Sequence, residues 1–137
     1  MKNIKFLKKL LHISTETIIF QCKGKLDKLN MFWSLGNAGK FSEGSCFILP
    51  YRAVVVKIII YSTDVENDVV ISLVKGNHEF GLHLTKTKNE LYTLFEPNNL
   101  IIEVGNQLRV KSIDKTSTRR ELYQAQVMLR YLIWLEN

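Results

Sequence analysis

The sequence predicts an all-β fold: an antiparallel, jelly-roll-like β-sandwich of about eight to ten strands carried behind a short basic arm. Three observations predict it. From residue 16 onward apolar side chains recur at every second position in runs of strand length. Turn-forming residues, including Gly76-Asn77, Pro97-Asn98-Asn99 and Gly105-Asn106, separate those runs. Helical spacing is convincing only in residues 1–13, where Ile4, Leu7 and Leu11 fall at i, i+3 and i+7. The chain therefore divides into an arm, residues 1–15, and one sandwich domain, residues 16–137. At 137 residues it is long enough to bury a hydrophobic core without staples.

Each element follows from its residues. A first strand covers 17–22 and ends at Lys23-Gly24-Lys25. A second covers 31–35, before the loop Gly36-Asn37-Ala38-Gly39. Residues 45–49 make a short strand that Pro50 stops. In 53–62 strict alternation puts Val54, Val56, Ile58 and Ile60 on one face, with Val55, Lys57, Ile59 and Tyr61 on the other. Residues 63–67 form a polar turn into strand 68–75, whose Val69, Ile71 and Leu73 face one way. Gly76-Asn77 then turns the chain into 78–84, where Phe80, Leu82 and Leu84 alternate. Strands at 91–95, 100–104 and 107–112 follow, the last with Leu108 and Val110 opposed to Arg109 and Lys111. A polar loop, 113–121, leads to a final strand, 122–135, with Val127, Leu129, Tyr131, Ile133 and Leu135 on one face. Leu, Gln, Ala and Met in that segment are good helix formers, but the alternation runs to its end and favours the strand.

Charge and cysteine usage narrow the function. The formal net charge is +6, but residues 1–30 hold seven lysines against Glu16 and Asp27. The remaining residues hold twelve basic and eleven acidic side chains, so the body is close to neutral. That distribution does not support a nucleic-acid-binding face on the body. No apolar run approaches the roughly 20 residues that span a bilayer. Lys8 and Lys9 interrupt the apolar run at the N-terminus and no small-residue cleavage site follows, so it does not read as a signal peptide. Cys22 and Cys46 lie in separate strands without C-x-x-C spacing, which reads as two free thiols.

No constellation of reactive groups emerges. His78 and His83 are an odd number apart in one strand, which puts them on opposite faces, and His12 sits in the arm. Neither cysteine has a Gly-rich elbow or helix N-terminus beside it to lower its thiol pKa. Asp64, Glu66 and Asp68 alternate as in some calcium loops but lack the glycine and closing glutamate, so they read as a solvated turn. Phosphate-binding glycine motifs are missing. The chain is expected to be no enzyme, with no cofactor and no metal. Two features read as contact surfaces. One is the arm, in which Lys2, Lys5, Lys8 and Lys9 interleave with Ile4, Phe6, Leu7, Leu10 and Leu11; it either folds back on the sandwich or docks on another subunit. The other is an aromatic group, Phe32 and Trp33 with Tyr131 and Trp134, read as core, a subunit contact or a ligand platform.

The stretch Cys46-Phe47-Ile48-Leu49-Pro50, then 54–62 and 69–77, resembles jelly-roll domains of bacteriophage fibre and head-decoration proteins. So do Phe95-Glu96-Pro97, residues 100–104, Gly105-Asn106-Gln107-Leu108-Arg109-Val110-Lys111-Ser112, and the strand 127–134. Those domains show an Ile-Pro segment leading into Val-x-x-Ile-x-Ile, then a hairpin strand, and later a Gly-Asp-x-Leu-x-Val start to the penultimate strand. Here Asn106 stands where Asp is usual, and Tyr51-Arg52-Ala53 lacks the usual Asp-Gly turn. The likeness covers residues 45–135.

What the resemblance implies is a virion structural protein, made in the host cytoplasm and resident in the particle. It would be a capsid decoration, head-fibre, tail or baseplate component without catalytic residues. It would form a homo-oligomer, a trimer first, with other virion proteins as partners through the arm. Two alternatives stand beside this reading. One is a receptor- or carbohydrate-binding module of a tail fibre that contacts a host-surface glycan. The other is a small basic nucleic-acid-binding barrel, against which the neutral body argues.

Overall fold

The computed structural model describes residues 14–36, 46–76 and 78–132, with the side chains of 78–81 left aside. Among these residues there are eleven strands and no helix. They are β1 (Thr15–Leu26), β2 (Met31–Phe32), β3 (Ser34–Leu35), β4 (Phe47–Ile48), β5 (Ala53–Ser62), β6 (Val69–Lys75), β7 (His78–Lys86), β8 (Tyr92–Phe95), β9 (Ile101–Ile102), β10 (Gln107–Ser112) and β11 (Ser117–Tyr131). One sheet runs β3-β1-β11-β5-β8, with β9 also on β5; the other runs β2-β10-β6-β7, with β4 also on β10. Every pairing is antiparallel. The expected all-β sandwich is present. β5 and β6, consecutive in the chain, belong to different sheets, as jelly-roll connections require.

The inward sides of both sheets make one core. Phe20, Trp33, Ile58, Leu73, Leu108 and Tyr123 are all fully buried within it. Alternation is the cause. β10 buries Leu108, Val110 and Ser112, and β11 buries Tyr123, Ala125, Val127 and Leu129, every second residue in each case. One end of the sandwich, the base, carries Ser14, Ala53 and Tyr131, where the Tyr131 amide donates to the Ser14 carbonyl at 2.9 Å. The other end, the tip, carries the ends of β1, β5, β7 and β10 and the start of β11.

Four local expectations are corrected. Strict alternation along β5 fails, because Ala53 and Val55 are buried and then Ile58, Ile60 and Ser62. A bulge opposite Met128 and Leu129 is the reason: Lys57 pairs with Met128 and Val55 with Leu129, so Val56 is an extra residue that switches the parity. The turn expected at Lys23-Gly24-Lys25 is a second bulge, and β1 continues to Leu26. Gly24 sits there at φ +151°, which a side chain would resist.

Residues 31–35 are not one strand. β2 pairs with β10 in one sheet and β3 with β1 in the other, and Trp33 crosses the core between them. Its amide donates to the Val110 carbonyl at 2.9 Å. The loop expected over 113–121 ends at Thr116, since Ser117 already pairs with Leu26 and Glu121 with Gly24. Thr118, Arg119 and Arg120 are exposed, so their polarity does not oppose strand formation.

Candidate functional site

Two regions of the described structure concentrate unusual side chains: the exterior of the six-stranded sheet and the tip. Register builds the first in two rows. Tyr92, Tyr61, Gln124, Gln21 and Ser34 lie side by side across β8, β5, β11, β1 and β3, and of these Gln21 and Ser34 are buried. Leu94, Ile59, Gln126 and Ile19 form the adjacent row. Neither row contains an ionisable group other than the two tyrosine hydroxyls. Gln126 Nε2 donates to Gln124 Oε1 at 2.8 Å, and Gln124 Nε2 donates to Gln21 Oε1 at 3.2 Å, so an amide ladder crosses the sheet. Tyr92 is 62% exposed and Leu94 45%. Ile59, Tyr61, Tyr92, Gln124 and Gln126 line a shallow cleft of about 420 Å³.

The exterior of the other sheet differs in chemistry. Arg109 and Lys111 point outward from β10, and His83 from β7. The Arg109 guanidinium lies 4.5 Å from the Phe32 ring centroid and donates to the Gly76 carbonyl at 2.9 Å. Two central rows of one exterior are thus uncharged, with Lys23 and Lys57 in the rows on either side and Arg130 beyond, while the opposite exterior carries Arg109 and Lys111.

The tip holds a buried polar cluster. Asp64 and Lys86 are both fully buried, although the alternating acids Asp64, Glu66 and Asp68 read as a solvated turn. Glu66 and Asp68 are exposed as expected; Asp64 is not. Its carboxylate accepts from the Glu66 amide at 3.1 Å, Asn67 Nδ2 at 3.1 and 3.2 Å, Arg119 at 3.4 Å and the Tyr123 hydroxyl at 3.3 Å. These bonds explain the burial, since a carboxylate leaves water only when its oxygens are satisfied.

Lys86 follows Leu82 and Leu84 on the inward parity of β7 and reaches the end of the core. Its ammonium donates to the carbonyls of Asp64, Thr87 and Glu90 at 3.2, 3.3 and 2.7 Å. Burial lowers its pKa, while the charges of Asp64, Glu90 and Asp68 pull the other way. Burial likewise raises the Tyr123 pKa, helped by the neighbouring Asp64 charge and hydrogen bond. The bonds from Lys86 to the Asp64 carbonyl and from Arg119 and Tyr123 to the Asp64 carboxylate join separate chain segments, which makes the cluster a clamp on the tip loops.

The residues singled out from the sequence are dispersed rather than convergent. Trp33 has no exposed surface and packs 6.2 Å from the Tyr123 ring, so it is core and out of a ligand's reach. Its indole nitrogen has no hydrogen-bond partner among the described residues. Tyr131 is buried at the base, donating to the Glu16 carboxylate at 2.5 Å with the Tyr51 ring edge-on at 5.9 Å. Phe32 is half-buried beneath Arg109. Trp134 and the arm residues Lys2, Ile4, Lys5, Phe6, Leu7, Lys8, Lys9, Leu10 and Leu11 lie outside the described residues.

Cys22 and Cys46 are free thiols. Burial pushes the Cys22 thiol up to about 12, which keeps it protonated and unreactive at neutral pH. Among the described residues no three His, Cys, Asp or Glu side chains gather as metal ligands. No helix there is long and apolar enough to cross a membrane.

Fold and site together define a jelly-roll-like β-sandwich with two uncharged rows across one sheet exterior and a buried polar cluster at the tip. In structure it is similar to the globular domain of zebrafish complement 1qA protein, with a TM-score of 0.50 and 7% identity over 88% of this chain and 98% of that one. That likeness is one of fold. No family model matches the sequence, and no curated protein does either.

Proposed function

We propose that this chain is a non-enzymatic structural subunit of a virus particle, a bacteriophage decoration, fibre or tail component. In this reading three copies assemble through the exterior of the six-stranded sheet, and residues 1–13 anchor them to other virion proteins. The observation that carries the assembly reading is the uncharged double row from Tyr92 and Leu94 to Gln124, Gln126 and Ile19. Two rows of tyrosine, leucine, isoleucine and amide groups, with charge only at their margins in Lys23 and Lys57, fit a second copy of themselves. Glutamine amides both donate and accept, so copies of one face satisfy each other's hydrogen bonds. The resemblance of residues 45–135 to phage jelly-roll domains supports the virion setting. The arm joins the sandwich at its base, which leaves the tip pointing away from the anchored end.

Sedimentation velocity tests the reading. The wild-type chain should run as a defined oligomer, and Leu94→Lys, placed on an exposed site, should run as a folded monomer with an unchanged far-UV spectrum. A wild-type monomer at every concentration, or an oligomer indifferent to Leu94→Lys, would refute it. Deleting residues 1–13 should leave the oligomer folded but abolish its incorporation into the particle; wild-type occupancy would refute the anchor.

A further inference from the structure

We propose that the tip carries a binding site for an acidic sugar, a saccharide bearing a carboxylate, in the crevice between the end of β1, the 63–68 loop and the start of β11. The crevice encloses about 400 Å³, within the range of roughly 300–1,000 Å³ typical of small-ligand sites. Its lining includes Asp27, Asn67, Lys115, Thr116, Thr118 and Arg119.

These groups suit a polyhydroxylated ligand. Asp27 accepts hydrogen bonds, Asn67 and the threonine hydroxyls do so and also donate, and vicinal sugar hydroxyls need partners of both kinds.

The carboxylate preference comes from Lys115. Arg119 is already neutralised, with Glu66 at 3.0 Å, Asp64 at 3.4 Å and Glu121 at 3.9 Å. Lys115, exposed on the same crevice, has no carboxylate within ion-pair distance among the described residues. It is the cation left to meet an anionic ligand.

The site is also held in place. The Thr116 amide donates to the Leu26 carbonyl at 2.7 Å, and the Arg119 amide to Ser117 Oγ at 3.0 Å. Asn67 and Arg119 are both fixed by the buried Asp64 carboxylate. A walled crevice fixed before binding loses little ordering entropy when a ligand enters. No aromatic ring lines it, so the single-site affinity is weak, and three sites on one oligomer would supply avidity of about 10²–10⁴. The crevice lies at the tip rather than on the uncharged rows of the six-stranded sheet, so the inference stands whether or not the chain assembles.

Two-dimensional NMR of the whole chain, titrated with glucuronic acid and in parallel with glucose, tests this. Glucuronic acid should shift the amides of residues 27, 67 and 115–119 in a saturable manner, and glucose should do so more weakly. Lys115→Ala, a substitution at an exposed side chain, should weaken glucuronic acid binding about tenfold and leave the response to glucose unchanged. No saturable shift at these amides, equal affinity for both sugars, or a Lys115→Ala variant that binds the acid as before would each overturn the proposal.

Discussion

Replacing Asp64 by alanine removes the hub of the tip. Its carboxylate is fully buried and accepts from Tyr123, Arg119, Asn67 and the Glu66 amide. Arg119 is half exposed and keeps Glu66 and Glu121, so water and those acids absorb much of its loss. The groups left without compensation are the buried Tyr123 hydroxyl and the buried Lys86 ammonium, which loses the nearby negative charge. Breaking a buried charge pair costs about 3–5 kcal/mol, and the partial rescue of Arg119 places Asp64→Ala at the lower end, about 3 kcal/mol. Urea unfolding followed by the fluorescence of buried Trp33 measures this directly, with the wild-type m-value retained. A loss below about 1 kcal/mol would show that the cluster is not a clamp and that its buried charges are solvated in practice.

Three further outcomes follow from the packing. Phe20→Ala, at a fully buried site on the central β1–β11 pair, should cost about 3–5 kcal/mol in urea unfolding. Tyr123→Phe keeps the ring against Trp33 and removes one bond to Asp64, and should cost about 1–2 kcal/mol by the same measurement.

Alkaline stability depends on Cys22, Tyr123 and Tyr131, whose folded pKa values are all raised by burial. The unfolded chain loses these protons first, so their contribution is complete below the unfolded values. It falls as pH rises from the unfolded thiol value of 9.0 toward about 12. Lys86, whose value is lowered by burial, acts in the opposite direction, below its ordinary value of 10.5. Cys22→Val should flatten the decline in stability between pH 9 and the folded thiol value by up to about 1.4 kcal/mol per pH unit, seen in urea titrations at stepped pH.

Much of the sandwich is legible in the sequence because burial on a pleated strand has a period of two. Leu108 and Val110, or Val127 and Leu129, announce their side of the sheet without help from neighbours. Legibility fails where the count slips by one. The extra residue at Val56 reverses the parity of β5, and nothing in a run of valines and isoleucines marks it, because either parity offers apolar side chains. Gly24 did carry a signal, but glycine serves a bulge as well as a turn.

The tip cluster was hidden for a different reason. Asp64 reads as surface by type, and only its contacts with neighbouring Asn67 and with Arg119 and Tyr123, brought from elsewhere in the chain, make burial tolerable. One clue existed in Lys86, which continues the inward parity of Leu82 and Leu84 and so belongs inside. The two uncharged rows are legible too, since Tyr123-Gln124-Ala125-Gln126-Val127 alternates core residues with amides rather than charges. Its aromatic members, Tyr61 and Tyr92, were passed over in favour of Trp33, whose size makes it the better core residue.

The proposed assembly turns on which face of the sandwich would meet a second copy. Spin labels placed singly at Thr17→Cys, beside the uncharged rows on β1, and at Lys111→Cys, on the opposite sheet, report this in a Cys46→Ser background, with Cys22 buried and protonated. Dipolar spectroscopy of the oligomer should give a short, well-defined distance from position 17 and a longer one from position 111. A shorter distance from position 111, or no dipolar coupling at either site, would contradict assembly through the six-stranded sheet.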